Sequence, residues 1–122
     1  MPSSSFLERA PTALATAAAP GASETTDSES AAERFAAEGV RLFLADISED
    51  IHSVAKRFGR GTQATACDLS REGAVRDVVG TAHAAAGRID ILVNNAGGGV
   101  IRPFLEHTAE TLRQTVDRNL WT

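Results

Sequence analysis

In Ile89-Asp90-Ile91-Leu92-Val93-Asn94-Asn95-Ala96-Gly97 a short apolar run gives way to two amides and two small residues. Ile89–Val93 is short, largely apolar and bounded, which predicts a buried strand. Asn94–Gly99 then predicts a loop at its end. Small residues let backbone approach a flat ligand closely. Asparagine amides can tie neighbouring strand ends together. Taken by themselves, the four residues Asn94–Gly97 also fit a plain turn.

The same grammar repeats outward from this stretch. Gly87 closes a helix that Ser70 opens, with Val75, Val78, Val79 and Ala82 at i, i+3, i+4 and i+7. Thr62–Cys67 precedes it as a short strand. Ser48 opens an earlier helix carrying Ile51, Val54, Ala55 and Phe58 on one face, with Gly59 as its stop. Val40–Ala45, broken only by Arg41, reads as a buried strand, and Ala31–Glu38 as a helix that ends at Gly39. Past the loop, Thr108 opens a last helix with Leu112, Val116, Asn119 and Leu120 on one face. Such alternation implies a parallel sheet with helices on its faces. The expected fold is therefore α/β, an incomplete Rossmann-like doubly wound sheet.

Composition changes near residue 30. Residues 1–30 are mostly Ala, Ser, Thr, Pro and Glu, punctuated by Pro2, Pro11 and Pro20. They read as a low-complexity, flexible segment, with Thr12–Thr16 as a candidate strand of little bulk. Residues 31–122 form the expected domain. The 43% apolar content fits a globular chain of 122 residues. With 12 basic against 16 acidic residues, the net charge is −4 and no basic stretch stands out, which argues against nucleic acid or an anionic membrane as partner. Cys67 is the single cysteine, so an intrachain disulfide is excluded. No signal peptide or membrane-length apolar run is evident, and a cytoplasmic protein is expected. His52, His83 and His107 show no metal-ligand spacing.

In open parallel sheets, ligands bind beyond the carboxyl ends of the strands. Asp46 stands at such an end. Its carboxylate can accept hydrogen bonds from an adenosine ribose and repels a 2′-phosphate. Ile47 follows it, where a basic residue would welcome that phosphate. NAD is thus expected over NADP. Asp68 ends the next strand, where a carboxylate can meet an adenine amino group and Leu69 can lie against the ring; either Asp68 or Ser70 also fits as a helix cap. Asn119 is an amide on an apolar helix face, where a polar group needs a specific partner. Asp46 to Asp68 is 22 residues, Asp68 to Asn94 is 26 and Asn95 to Asn119 is 24. Each gap fits one strand-plus-helix unit, so the signals share one frame.

On Asp46, Asp68-Leu69, Asn94-Asn95-Ala96-Gly97 and Asn119-Leu120, the stretch from about Ala31 to Thr122 resembles the short-chain dehydrogenase/reductase family. The resemblance implies hydride transfer between NAD(P) and an alcohol or carbonyl. It implies that Asn95, Ala96 and Gly97 lie beside the cofactor, and that Asn119 belongs to a catalytic Asn-Ser-Tyr-Lys set as the holder of a water in a proton relay. Gly97–Phe104 and Arg118–Thr122 are also similar to members that oxidise cis-dihydrodiols of aromatic acids. Arg102 could meet an anionic substrate, and it also fits a solvated loop.

Two departures qualify the resemblance. The family opens with Thr-Gly-x-x-x-Gly-x-Gly, a loop that brings backbone to a pyrophosphate. The nearest match, Thr16–Ser23, keeps Gly21 alone, and Glu24, Asp27 and Glu29 follow it. No tyrosine occurs in the chain, and the family's serine and Tyr-x-x-x-Lys would lie beyond Thr122. The expectation is a truncated member that is inactive alone, taking a small-molecule substrate if completed. Self-association or association with a full-length relative is expected as well. A non-catalytic nucleotide-binding module and an adenosylmethionine-dependent methyltransferase fragment stand as alternatives.

Overall fold

A computed structural model of the chain describes residues 10–16, 27–59, 61–97 and 101–120. Four parallel strands form one sheet: β1 (Thr12–Thr16), β2 (Arg41–Asp46), β3 (Gln63–Ala66) and β4 (Ile91–Val93). The helices are α1 (Asp27–Ala37), α2 (Ile51–Phe58), α3 (Glu72–Ala86) and α4 (Ala109–Leu120), with a 3-10 turn at Phe104–Glu106. In space the strands run β3-β2-β1-β4. Winding proceeds outward from β1 through β2 to β3, then crosses back to place β4 on the other side of β1. The reversal makes a switch point between the carboxyl ends of β1 and β4, where α/β sheets hold their ligands.

Two cores follow from the period-two alternation of the strands. On one face Ala13, Ala15, Leu42 and Leu44 meet Ala32 of α1 and Ile51, Val54 and Ala55 of α2. On the other, Leu14, Phe43 and Ala45 meet Leu69 and Val78, Ala82 and Ala86 of α3. Leu42, Leu44 and Ile51 are fully buried, each contributing about 1.5–3 kcal/mol of apolar transfer. Gly87 takes the left-handed conformation at φ 76° that ends α3, its N–H bonding the carbonyl of His83.

The weakest expected element is the central one. Every residue of β1 is buried, despite its small side chains. Pairing on both sides satisfies its backbone, and alanine lets helices close on it from both faces. Its first N–H is taken by a side chain: the Asp90 carboxylate accepts from Thr12 N at 2.8 Å, and Asp90 N donates to Thr12 O at 2.9 Å. Arg88 grips the other carboxylate oxygen, its Nε at 2.6 Å.

Several local expectations need correction. Helix α1 begins at Asp27 rather than Ala31, β2 is shifted by one residue, and β3 and β4 are each two residues shorter than expected, while β1 has its expected bounds. Val79 is 41% exposed, because α3 buries the narrower stripe Val78, Ala82 and Ala86. Neither Ser48 nor Ser70 caps a helix. Asp50 and Arg71 hold those positions without side-chain caps, since each serine is engaged in a tighter turn described below. Leu112, Val116 and Leu120 share a face of α4 but are exposed, together with Leu92, Ile101, Phe104 and Leu105. Among the described residues β4 pairs with β1 alone, so one of its edges carries no partner strand. No described helix is long and apolar enough to cross a membrane.

The Arg88 guanidinium, then the Thr12 N–H, hold the Asp90 carboxyl below the ordinary carboxylate range, against a smaller opposing effect of burial. A depressed folded-state pKa contributes stability above the unfolded value, about 3.9, and loses it as pH falls through the folded value. The melting-temperature gap between wild type and Asp90→Asn is therefore expected to be widest above about pH 5 and to shrink in acid. Thermal scans by circular dichroism from pH 7 to pH 2 check this. A gap that stays constant across that range counts against the assignment.

Candidate functional site

The switch point is fastened by one hydroxyl. Thr16 ends β1 and is 7% exposed. Its Oγ1 accepts the N–H of Asn95 at 2.9 Å and that of Ala96 at 3.0 Å, and donates to the carbonyl of Val93 at 3.3 Å. Strand β4 has already ended at Val93, so the amides of Asn95 and Ala96 lie beyond its ladder. The threonine supplies one, and the loop Asn94–Gly97 is thereby held at the carboxyl end of β1. Asn95 and Gly97 are exposed there and Ala96 is partly buried. The loop presents backbone and small side chains to the crevice.

Asp46 ends β2, next to β1. Its Oδ1 accepts the N–H of Ser48 at 2.9 Å, a turn that fixes the carboxylate at the strand end. Ser48 Oγ in turn accepts from Asp50 N at 3.2 Å, which is why Ser48 is spent before the helix begins. Ile47 is 70% exposed beside it. One strand further out, Cys67 N donates to Asp46 O at 2.7 Å, so the ends of β2 and β3 stay in step. Asp68 repeats the Asp46 device: Oδ1 accepts Ser70 N at 3.0 Å and Ser70 Oγ at 2.6 Å. The carboxylate is exposed.

The sulfur between these acids senses both. Burial pushes the Cys67 thiol up, and the charges of Asp68 and then Asp46 push it further. Two carboxylates thus share one rim of the crevice. That field favours hydroxyl and amino donors and disfavours an added phosphate.

The structure brings Asp46, Ile47, Asp68, Asn95, Ala96 and Gly97 to the carboxyl ends of adjacent strands. It places two other expected residues differently. Leu69 is 8% exposed and packs with Phe43 and Val78 in the core, because it is the apolar anchor of the turn into α3. Asn119 is exposed on α4, and its amide donates to the Thr115 carbonyl one turn back at 2.6 Å. Gly21 lies outside the described residues. Sequence reasoning missed Thr16 as a site residue. The signal was its place at the end of a candidate strand just ahead of the degenerate glycine segment.

Comparison with known proteins agrees with this frame. The family model described as enoyl-(acyl carrier protein) reductase matches residues 22–122. The chain belongs to the short-chain dehydrogenase/reductase family. It is 44% identical over 95 residues to 2,3-dihydroxy-2,3-dihydro-p-cumate dehydrogenase of Pseudomonas putida, covering 74% of this chain and 37% of that protein. It is 40% identical over 92 residues to 1,6-dihydroxycyclohexa-2,4-diene-1-carboxylate dehydrogenase of Acinetobacter baylyi, covering 72% and 35%. Among solved structures, 3-ketoacyl-(acyl-carrier-protein) reductase from Brucella melitensis, complexed with NADH, superposes with TM-score 0.80 at 29% identity, over 92% of this chain and 45% of that one. A short-chain dehydrogenase from Mycobacterium smegmatis gives 0.78 at 28% identity, over 90% and 46%. The chain thus spans under two fifths of those curated relatives and under half of those solved structures. Membership in an oxidoreductase family leaves the methyltransferase alternative without support.

Replacing Thr16 by valine keeps the shape and removes the hydroxyl, leaving the Asn95 and Ala96 amides without their acceptor. Thr16→Val is expected to lose on the order of 2 kcal/mol of stability in urea titration, with faster hydrogen exchange at Asn95 and Ala96. Thr16→Ser should keep most of both. Unchanged exchange at the two amides in Thr16→Val would show that the hydroxyl does not hold the loop. In a separate measurement, alkylation of Cys67 by iodoacetamide should turn on at a pH above the ordinary thiol range, and Asp68→Asn should move the midpoint down. A midpoint unmoved by that change would remove Asp68 as a cause.

Proposed function

We propose that this chain forms the adenosine-binding part of an NAD-dependent dehydrogenase that oxidises a carboxylated cyclic dihydrodiol. The observation that carries the reading is the row of fixed groups at the carboxyl ends of β3, β2, β1 and β4. Asp68, Asp46 and the Thr16-bound loop stand there in strand order, each held by its own hydrogen bonds.

The residues present fit the adenosine half of such a cofactor. Asp46 offers an acceptor to ribose hydroxyls, Asp68 offers one to the adenine amino group, and the backbone of Asn95, Ala96 and Gly97 lies open to a flat ring system. The acidic rim and the exposed Ile47 support NAD over its 2′-phosphorylated form, since Ile47 follows Asp46 where a basic residue would receive the phosphate. When bound, NAD supplies the hydride acceptor. Residues of this chain bind and orient it, and Thr16 keeps the loop at the distance that the sheet sets.

The dihydrodiol class is supported by the two curated relatives, whose names both specify a dihydroxylated ring bearing a carboxylate. The proton relay of the family rests on a tyrosine, whose phenol near pKa 10 needs a fixed cation to work at neutral pH. This chain contains no tyrosine. We therefore read the 122-residue chain as a binding unit that does not turn over by itself.

Calorimetric titration tests the cofactor reading. NAD is expected to bind the chain more tightly than NADP. Asp46→Ala is expected to weaken NAD by about tenfold, the worth of one charge-assisted hydrogen bond. Joint replacement Asp46→Ser and Ile47→Arg should reverse the order of the two dinucleotides. Equal affinity for both, or an Asp46→Ala variant with wild-type affinity, counts against the reading. Steady NADH formation by the repurified chain would overturn the statement about turnover.

A further inference from the structure

We infer that Arg102 is the anchor for the ring carboxylate of the substrate, an inference that rests on the dihydrodiol reading above. Arg102 lies in the segment that leaves the carboxyl end of β4, on the route from the Asn95–Gly97 loop to α4. Its Nη1 donates to the Glu106 carbonyl at 3.4 Å. That carbonyl ends the 3-10 turn Phe104–Glu106, whose entry is set by Pro103 at φ −53°, ψ 141°. The turn therefore holds the guanidinium by a single long contact and leaves its other donors to bind something else.

Charge pairing separates Arg102 from four other described arginines. Arg34, Arg76, Arg88 and Arg113 each have an acidic partner. No carboxylate of a described residue lies within ion-pair distance of Arg102. Arg41 and Arg71 share that lack. Arg41, however, stands at the opposite end of the sheet, where β2 begins, and Arg71 lies between Ser70 and Glu72. Arg102 sits instead among exposed apolar side chains: Ile101 before it, Phe104 and Leu105 after it.

A cation bracketed by apolar groups has a definite chemical complement. A planar guanidinium takes a carboxylate through two parallel hydrogen bonds. An adjacent aromatic or branched side chain takes the ring to which the carboxylate is attached. A free inorganic anion would use the arginine alone, and a neutral alcohol would use the apolar residues alone. A cyclic acid uses both. Held by its carboxylate, the ring would keep a fixed orientation, which is what hydride transfer needs. On this account Arg102 sets specificity for acidic over neutral diols.

The test uses the 122-residue chain, labelled with nitrogen-15 and titrated with 4-isopropylbenzoate or with its neutral isostere 4-isopropylbenzamide. The carboxylate is expected to shift amides of residues 101–107 and to bind at least about tenfold more tightly than the amide. Arg102→Gln should bring the carboxylate down to the level of the amide, Arg102→Lys should fall between, and Arg34→Gln should change nothing. NAD affinity, measured on the same samples, should be unaffected by Arg102→Gln. Equal binding of carboxylate and amide, wild-type binding by Arg102→Gln, or no shift in residues 101–107 would each overturn the role of Arg102. If NAD fails to bind wild type while the carboxylate discrimination stands, the nucleotide reading falls and the carboxylate site remains.

Discussion

The site depends on a single side-chain hydroxyl at the point where the sheet reverses its winding. Strand β4 ends after Val93, and beyond it the amides of Asn95 and Ala96 turn to the Thr16 hydroxyl. The cost of leaving an N–H without an acceptor grows with its burial, and these two are partly buried. Thr16 removes that cost, and in doing so ties the first strand to the loop that follows the last. Everything the crevice can offer a flat ligand on that side hangs from this contact.

The second determinant is charge. Asp46 and Asp68 end neighbouring strands, and each is turned back onto a serine two residues on. The same local device, used twice, produces a rim that accepts hydrogen bonds and repels phosphate. Cys67 lies between them and is kept protonated by its burial and by that field. A thiol in this state is a weak nucleophile, so the rim stays chemically quiet while remaining strongly polar.

Much of this was legible in the sequence. The alternation of elements, the parallel sheet, and Asp46, Asp68 and Asn95–Gly97 at strand ends follow from periodicity and spacing. Other features were hidden for identifiable reasons. Burial of β1 cannot be read from Thr-Ala-Leu-Ala-Thr, because its place comes from pairing on both sides rather than from bulk. Leu69 was assigned to a ligand although it is the one apolar residue between Asp68 and α3, a position that the core claims first. Val79 and Val78 are indistinguishable in a helical pattern; only the width of the stripe that α3 buries separates them. The long-range bonds of Thr16 and Asp90 span 79 and 78 residues, and no local pattern announces them.

That separation has a consequence for how the protein is made. The strand at the centre of the sheet is synthesised first, and both polar contacts that secure its ends are formed with residues close to 80 positions later. At about 5–20 residues per second, the ribosome leaves β1 without its β4 partner for roughly 4–16 s. During that interval β1 can pair with β2 alone, one flank of its backbone open. Loop closure of this length weighs little on final stability but strongly on rate. Any sheet formed before β4 is made therefore has at most three strands with β1 at an edge, the arrangement on which a holding chaperone would have most to grip.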